Sequence, residues 1–337
     1  MTTEVRGTNV ATMYDWARRL DPDGNIDTIV NLLAETNEVI EDMLWVEGNL
    51  PTGHQTTVAT GIPEPTWRTL YKGVPSTKGT TKQVTDTCGM LEARPHVDVD
   101  LARLNGNTAE WRLSEERLHI EGMNQEFANT VFYGDTRVTP ERFMGFHARY
   151  SDTTADNKDQ ILDGGGKGSD NTSIWLVGWG PNTVHGIFPK GSKAGMSITD
   201  KGEQVVIDPD NKGRYDVLES HYKWDCGLTV RDWRYVVRIA NIDVNDLATF
   251  NSSSDASANL VRLLVQATEI PPALGMVKPV IYCNKTVRTW MRIQMIERAN
   301  VNFSFDDLAG KKVLTFDGIP VRRCDKILNT EPTITFA

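Results

Sequence analysis

Four groups of residues have types and spacings that could support chemistry, and each has a plainer reading beside it. Asp163-Gly-Gly-Gly-Lys-Gly168 invites a phosphate loop, in which backbone N–H groups and the lysine would hold phosphate oxygens. That loop needs G-x-x-x-x-G-K and then Ser or Thr at a helix start, whereas Lys167 is followed by Gly168 and no strand precedes the run. A flexible surface loop is the expectation. Asp208-Pro-Asp-Asn-Lys-Gly213 with Glu219 matches positions 1, 3, 6 and 12 of a calcium loop, but Lys212 puts a positive charge where a ligand oxygen belongs. Its flanks read as strands, so a hairpin turn is expected. His119-Ile-Glu121 has the H-x-E of zinc deaminases without the P-C-x-x-C partner, and reads as a solvated pair on a helix. Cys88, Cys226, Cys283 and Cys324 lie far apart, with no C-x-x-C and no His at zinc-ligand spacing, and read as reduced core thiols. Neither H-E-x-x-H, G-x-S-x-G nor G-x-G-x-x-G occurs. The residues therefore assign no catalytic site, no metal and no cofactor.

The element that must position everything else is the stretch from Asn107 to Asp135, where period, caps and charge agree on one long helix. At 100° per residue Ala109, Leu113, Ile120, Met123, Phe127 and Val131 share a face, which predicts burial, while Arg112, Glu115, His119, Glu121, Gln125 and Glu126 lie off it. Asn107 with Glu110 marks the start, and Gly134 sits where a left-handed residue after the last turn is wanted. Such a rod is roughly 39 Å long at about 1.5 Å per residue. Trp111 and Leu118 lie on the opposite face with Gly122, so close packing is expected there too, against the same chain or a second subunit.

Before it, residues 1–19 read as a polar arm, Asp21 to Asn25 as a turn, and the run from Asn25 as a helix ending at Gly48, with Glu35, Glu38, Glu41 and Asp42 on a solvated face. From Leu50 to Asp98 many Gly and Pro residues punctuate short strands at 54–60, 66–72 and 80–90, with few large apolar residues. A segment with so little to bury needs a neighbour to order it. After the long helix, strands are expected at 174–179, 183–188, 204–208, 215–224, 228–239, 279–282, 312–316 and 319–324, and helices at 255–269 and 286–299. Asp317-Gly318 reads as a hairpin turn. The class is α+β.

At 337 residues, 39% hydrophobic and 24% charged, the chain is an ordinary folded protein with room for two domains. A net charge of −9 argues against general nucleic-acid affinity, which relies on Lys and Arg displacing counterions, and leaves room only for weak local contact with packaged DNA. No run approaches the roughly 20 apolar residues that span a bilayer, and the first ten residues lack a leader pattern, so no membrane association and cytosolic synthesis are expected.

The order of elements, with Leu33-Ala-Glu-Thr-Asn-Glu38, Val46-Glu-Gly-Asn-Leu-Pro-Thr-Gly-His54, Ile120-Glu-Gly-Met123, Phe132-Tyr-Gly-Asp135, Phe143-Met-Gly-Phe146, Trp233-Arg-Tyr235, Asn241-Ile-Asp243, Gly318-Ile-Pro-Val321, Asp325 and Glu331, resembles major capsid proteins of tailed bacteriophages, in the short-tailed epsilon15-type branch. The resemblance implies an HK97-like capsid fold with an N-terminal arm and helix (1–49), an extended loop lying across a neighbouring subunit (50–98), a peripheral domain with a spine helix (99–150) and a mostly axial domain (151–337). It implies self-assembly into hexamers and pentamers of an icosahedral head enclosing double-stranded DNA, contacts between neighbouring capsomers, scaffold and portal partners with a decoration protein as a further one, and assembly in the host cytoplasm. The alternative is a soluble α+β hydrolase using carboxylates of the 173–243 sheet region.

Overall fold

The computed structural model describes residues 37–103, 108–207, 213–248, 259–297, 303–308 and 311–336. The expected arm, the turn at 21–25, most of the first helix, the Asn107 cap and residues 208–212 of the calcium-like loop lie outside them. In chain order the strands are β1 (Trp45–Glu47), β2 (Gly53–Gly61), β3 (Thr80–Ala93), β4 (His96–Asp98), β5 (Ile161–Asp163), β6 (Asn171–Trp179), β7 (Val184–Phe188), β8 (Ser197–Ile207), β9 (Arg214–Val230), β10 (Val236–Asp243), β11 (Lys278–Cys283), β12 (Phe303–Leu308), β13 (Lys311–Phe316) and β14 (Ile319–Arg323). The long helix spans Thr108–Tyr133, and shorter helices include Leu260–Glu269 and Lys285–Glu297.

The chain forms two compact units. The larger comprises Thr36–Gly89, Ala128–Ala194 and Cys226–Ala337 and is organised by β6, every residue of which is buried. A strand covered on both faces has no polar face to alternate with, which is why Ser173-Ile-Trp-Leu-Val carries apolar residues on both sides. β6 pairs antiparallel with β10 and β11 and parallel with β7. Ile174 and Leu176 face one way, onto Leu260, Leu263, Leu264 and Ala267 of the helix Leu260–Glu269, whose i, i+3, i+4, i+7 spacing makes one apolar stripe. Trp175 and Trp179 face an aromatic layer that includes Phe132, Phe146, Tyr150 and Tyr282. β13 and β14 close as a hairpin with Phe316 opposite Ile319, and Asp317 and Gly318 both have positive φ (47° and 76°), the geometry of the expected two-residue turn.

The smaller unit contains Met90–Phe127 and Gly195–Asp225. β9 pairs with β8 and β4, and Val97, Leu101, Ala102 and Trp111 pack with Leu218. Phe127 stacks on Trp224 at 4.4 Å between ring centroids.

Several expectations need correction. Trp111 is core, whereas Leu113 is 47% exposed and Leu118 is also exposed, so the stripe assigned to the interior is buried only at Met123, Phe127 and Val131. A Cβ at Gly122 would meet nothing within 4 Å, so no described residue of the same chain packs there. Gly134 is not left-handed; it is buried where a Cβ would strike the carbonyls of Phe143 and Thr130. The first helix ends at Asp42 rather than Gly48, and residues 66–72 form no strand. The run 228–239 is divided by a 3-10 turn at Trp233–Tyr235, capped by the Asp232 side chain. Asp42 is buried rather than solvated: Lys278 Nζ lies 2.8 Å and Arg322 Nε 3.3 Å from its carboxylate, which also accepts from Tyr282. The glycine run 164–168, expected to follow no strand, follows β5 directly, and it is pinned, not free, because Gly164 and Gly166 donate to the carbonyls of Ala240 and Asn241 at 2.7 Å, too close for a side chain.

Candidate functional site

The residues singled out for chemistry do not converge. His119 is exposed on the long helix, and Glu121 is half-buried and accepts from Gln125. Glu219 pairs with Arg94 at 3.3 Å, Asp232 with Arg234 at 2.8 Å, and Asp243 accepts from the backbone of its own turn. No cluster of three or more His, Cys, Asp or Glu that could hold a metal occurs among the described residues. All four cysteines are free, with Cys226, Cys283 and Cys324 buried and Cys88 half-buried, and burial pushes the Cys283 thiol up to about 12. A buried thiol so hard to ionise is a poor nucleophile. No described helix is long and apolar enough to cross a membrane.

What the fold does assemble is a buried ionic network. Arg238 on β10 is fully buried and Glu331 is 2% exposed, with Nη2 to Oε2 at 2.7 Å. The guanidinium also donates to Ser173 Oγ (3.0 Å) and to the Tyr150 carbonyl (2.8 Å), and lies 5.0 Å from the Trp175 ring centroid. Glu331 accepts from Ser173 Oγ and from the Tyr133 hydroxyl, which in turn accepts from the Leu328 N–H. Burial and the nearby carboxylate hold the Tyr133 phenol far above its ordinary range, and burial with the Arg238 charge pushes His147 down to about 4. The carboxylate's bonds are all to groups of the fold, so the network is a clamp. It ties the segment after β14 to β6 and β10, together with the Glu331 N–H to Asn171 O (2.9 Å) and the Ile334 N–H to Asn241 Oδ1 (2.8 Å) bonds. Sequence reading missed Arg238; its one signal was a charge inside the apolar run Tyr235-Val-Val-Arg-Ile-Ala240.

The surface feature is the hairpin of β2 and β3, paired from Gly53↔Thr87 to Gly61↔Thr80. Between the strands, residues 62–79 are exposed throughout, and Trp67 (101%), Tyr71 (102%), Ile62 and Leu70 give the tip an apolar surface that nothing among the described residues covers. Large rings left in water this way mark a contact surface. A cleft of about 300 Å³ lies beside the hairpin, lined by Val58, Val84, Arg149, Arg231 and Trp233.

Comparison with known proteins agrees with a contact-making subunit. A family model described as major capsid protein GP7 matches residues 21–335. The chain is similar, at 36% identity and a TM-score of 0.79, to a chain in a near-atomic structure of bacteriophage epsilon15, covering 99% of this chain and 100% of that one. A GTA particle capsid (13% identity, TM-score 0.43, 69% of this chain and 98% of that one) and an encapsulin complex from Synechococcus elongatus (12%, 0.42, 67% and 94%) are too remote to carry an argument. No curated protein matches.

Proposed function

The chain belongs to the major capsid protein GP7 family, and from that premise we propose how its surfaces serve a shell. It is a structural protein of the virion capsid with the HK97-like fold, and capsids of this kind are assembled from many copies of one chain. The hydrolase alternative has no support.

In the proposed reading the copies form hexamers and pentamers of an icosahedral head around double-stranded DNA, with scaffold, portal and decoration proteins as further partners and assembly in the bacterial host cytoplasm. Residues 1–49 act as arm and first helix, 50–98 as the extended loop, 99–150 as the peripheral domain and 151–337 as the mostly axial domain. The observation that carries this reading is the uncovered apolar tip at 62–79, which gains a covering when it lies on a neighbouring copy. At net charge −9 the subunit touches packaged DNA weakly and locally, since like charges repel. Negative-stain microscopy of the purified chain is expected to show shells, rings or capsomers; compact monomers or dimers alone would overturn the reading.

Two results are expected of the contact surfaces. Hydrogen exchange of residues 62–79 should slow by at least tenfold on assembly, because the described residues of the subunit bury none of the tip; equal exchange in subunits and shells would remove the tip from the interface. Gly122→Ala should stabilise the isolated subunit by about 1 kcal/mol, since a mid-helix glycine is replaced where there is open space. If that helix face meets a second copy closely, the same variant should give fewer shells, and normal shell yield would show that it does not.

A further inference from the structure

Strands β2 and β7 bring two histidines together at the root of the hairpin. His185 on β7 is fully buried, and His54 on β2 meets it edge-on, with 5.8 Å between ring centroids and 81° between planes. The charged groups around them come from three further places. Asp86 on β3 is buried and accepts from Arg149 Nη2 at 2.7 Å; Arg149 also reaches the carbonyls of Met144 and Leu228. Arg231, just beyond β9, acts on both rings against protonation, while Asp86 acts in its favour. Burial decides the balance, lowering His54 and, with the His54 charge and against a backbone hydrogen bond to Gly180, bringing His185 down to about 4. The root is otherwise held by the Asn49 side chain, which bonds both the N–H and the C=O of Gln55 (2.7 and 2.8 Å), and by the Cys88 N–H to Thr52 O (2.9 Å) and Lys190 N–H to Leu50 O (3.2 Å) bonds.

We infer that the His54–His185 contact is a proton-operated latch: neutral rings pack and hold β2 beside β7, and charged rings drive the hairpin root open while the sheet around β6 stays folded. In the charged state the two rings add to the Arg231 charge that already opposes their protonation, and the Asp86 carboxylate that favours it is shared with Arg149. The direction follows from linkage. Both histidines are lowered below their ordinary value of 6.5, so the closed root has its full stability above that pH. It loses stability as pH falls through 6.5 and loses no more on account of His185 below about 4.

Hydrogen exchange of the full-length subunit, corrected for the intrinsic pH dependence of exchange, tests this between pH 7 and pH 4.5. Protection of residues 50–57 and 84–89 is expected to fall at least tenfold across that range while β6 keeps its protection. His54→Gln and His185→Gln should each flatten the fall, and His147→Gln, which removes a third lowered histidine whose ring lies against Tyr133, should not. Should the glutamine variants fail to fold, ring-carbon NMR of histidine-labelled wild type gives the same answer: both rings must titrate below 6.5, and the root must open in step with them. Unchanged root protection at pH 4.5, simultaneous opening of β6, or an unaltered fall in the glutamine variants would each overturn the latch.

Discussion

Glu331→Ala is expected to cost about 3–5 kcal/mol, because it leaves the Arg238 guanidinium fully buried without its carboxylate. Against a total stability of roughly 5–15 kcal/mol, that is enough to leave little soluble subunit. The loss is larger than a surface ion pair could give, since exposed pairs contribute only about 0–1 kcal/mol. Removing both charges tests the cause: Arg238→Met with Glu331→Leu should be less destabilised than Glu331→Ala alone, as no uncompensated charge remains, although Tyr133 and Ser173 lose an acceptor. Thermal unfolding and soluble yield decide it. If Glu331→Ala unfolds within a degree of the wild type, the clamp is not holding the core.

The second large effect lies in the long helix. Phe127→Ala removes a ring that is 1% exposed and stacked on Trp224, and should cost about 3–5 kcal/mol. Leu113→Ala, fourteen residues earlier on nearly the same azimuth, should cost far less, about 1 kcal/mol at most, because Leu113 is already half exposed. A joint loss in both variants would restore the continuous buried stripe expected from the periodicity.

That pair also explains what the sequence could and could not tell. Periodicity identified the helix and its end near Tyr133, because both depend on neighbours along the chain. It misjudged the burial of Ala109 and Leu113, since a helical wheel assumes one covered flank along the whole rod, while Trp111, expected to pack on the other face, is claimed by Val97, Leu101 and Leu218. The strands from 171 onward were legible from short β-rich runs, and the Asp317-Gly318 turn from its residue types. The clamp was not, because the partners of Glu331 lie 93, 158 and 198 residues away, and the ion pairs of Asp42 escaped for the same reason, spanning 236 and 280. An acidic residue carries no local mark of a basic partner that distant. The hairpin was legible in outline, as a stretch with little of its own to bury, but the expected strand at 66–72 failed because no ladder partner for it occurs among the described residues.

The position of Glu331 also sets a timetable. It leaves the ribosome 93 residues after Arg238, so throughout that interval the nascent chain carries an arginine whose destined carboxylate has not been synthesised. At about 5–20 residues per second the wait lasts roughly 5–20 s, far longer than hairpin or helix formation, which takes microseconds. A chain cut short in that interval keeps Arg238 without its carboxylate and is expected to hold β10 against β6 less stably than the full chain. The buried pair is therefore completed only in chains that extend through Glu331.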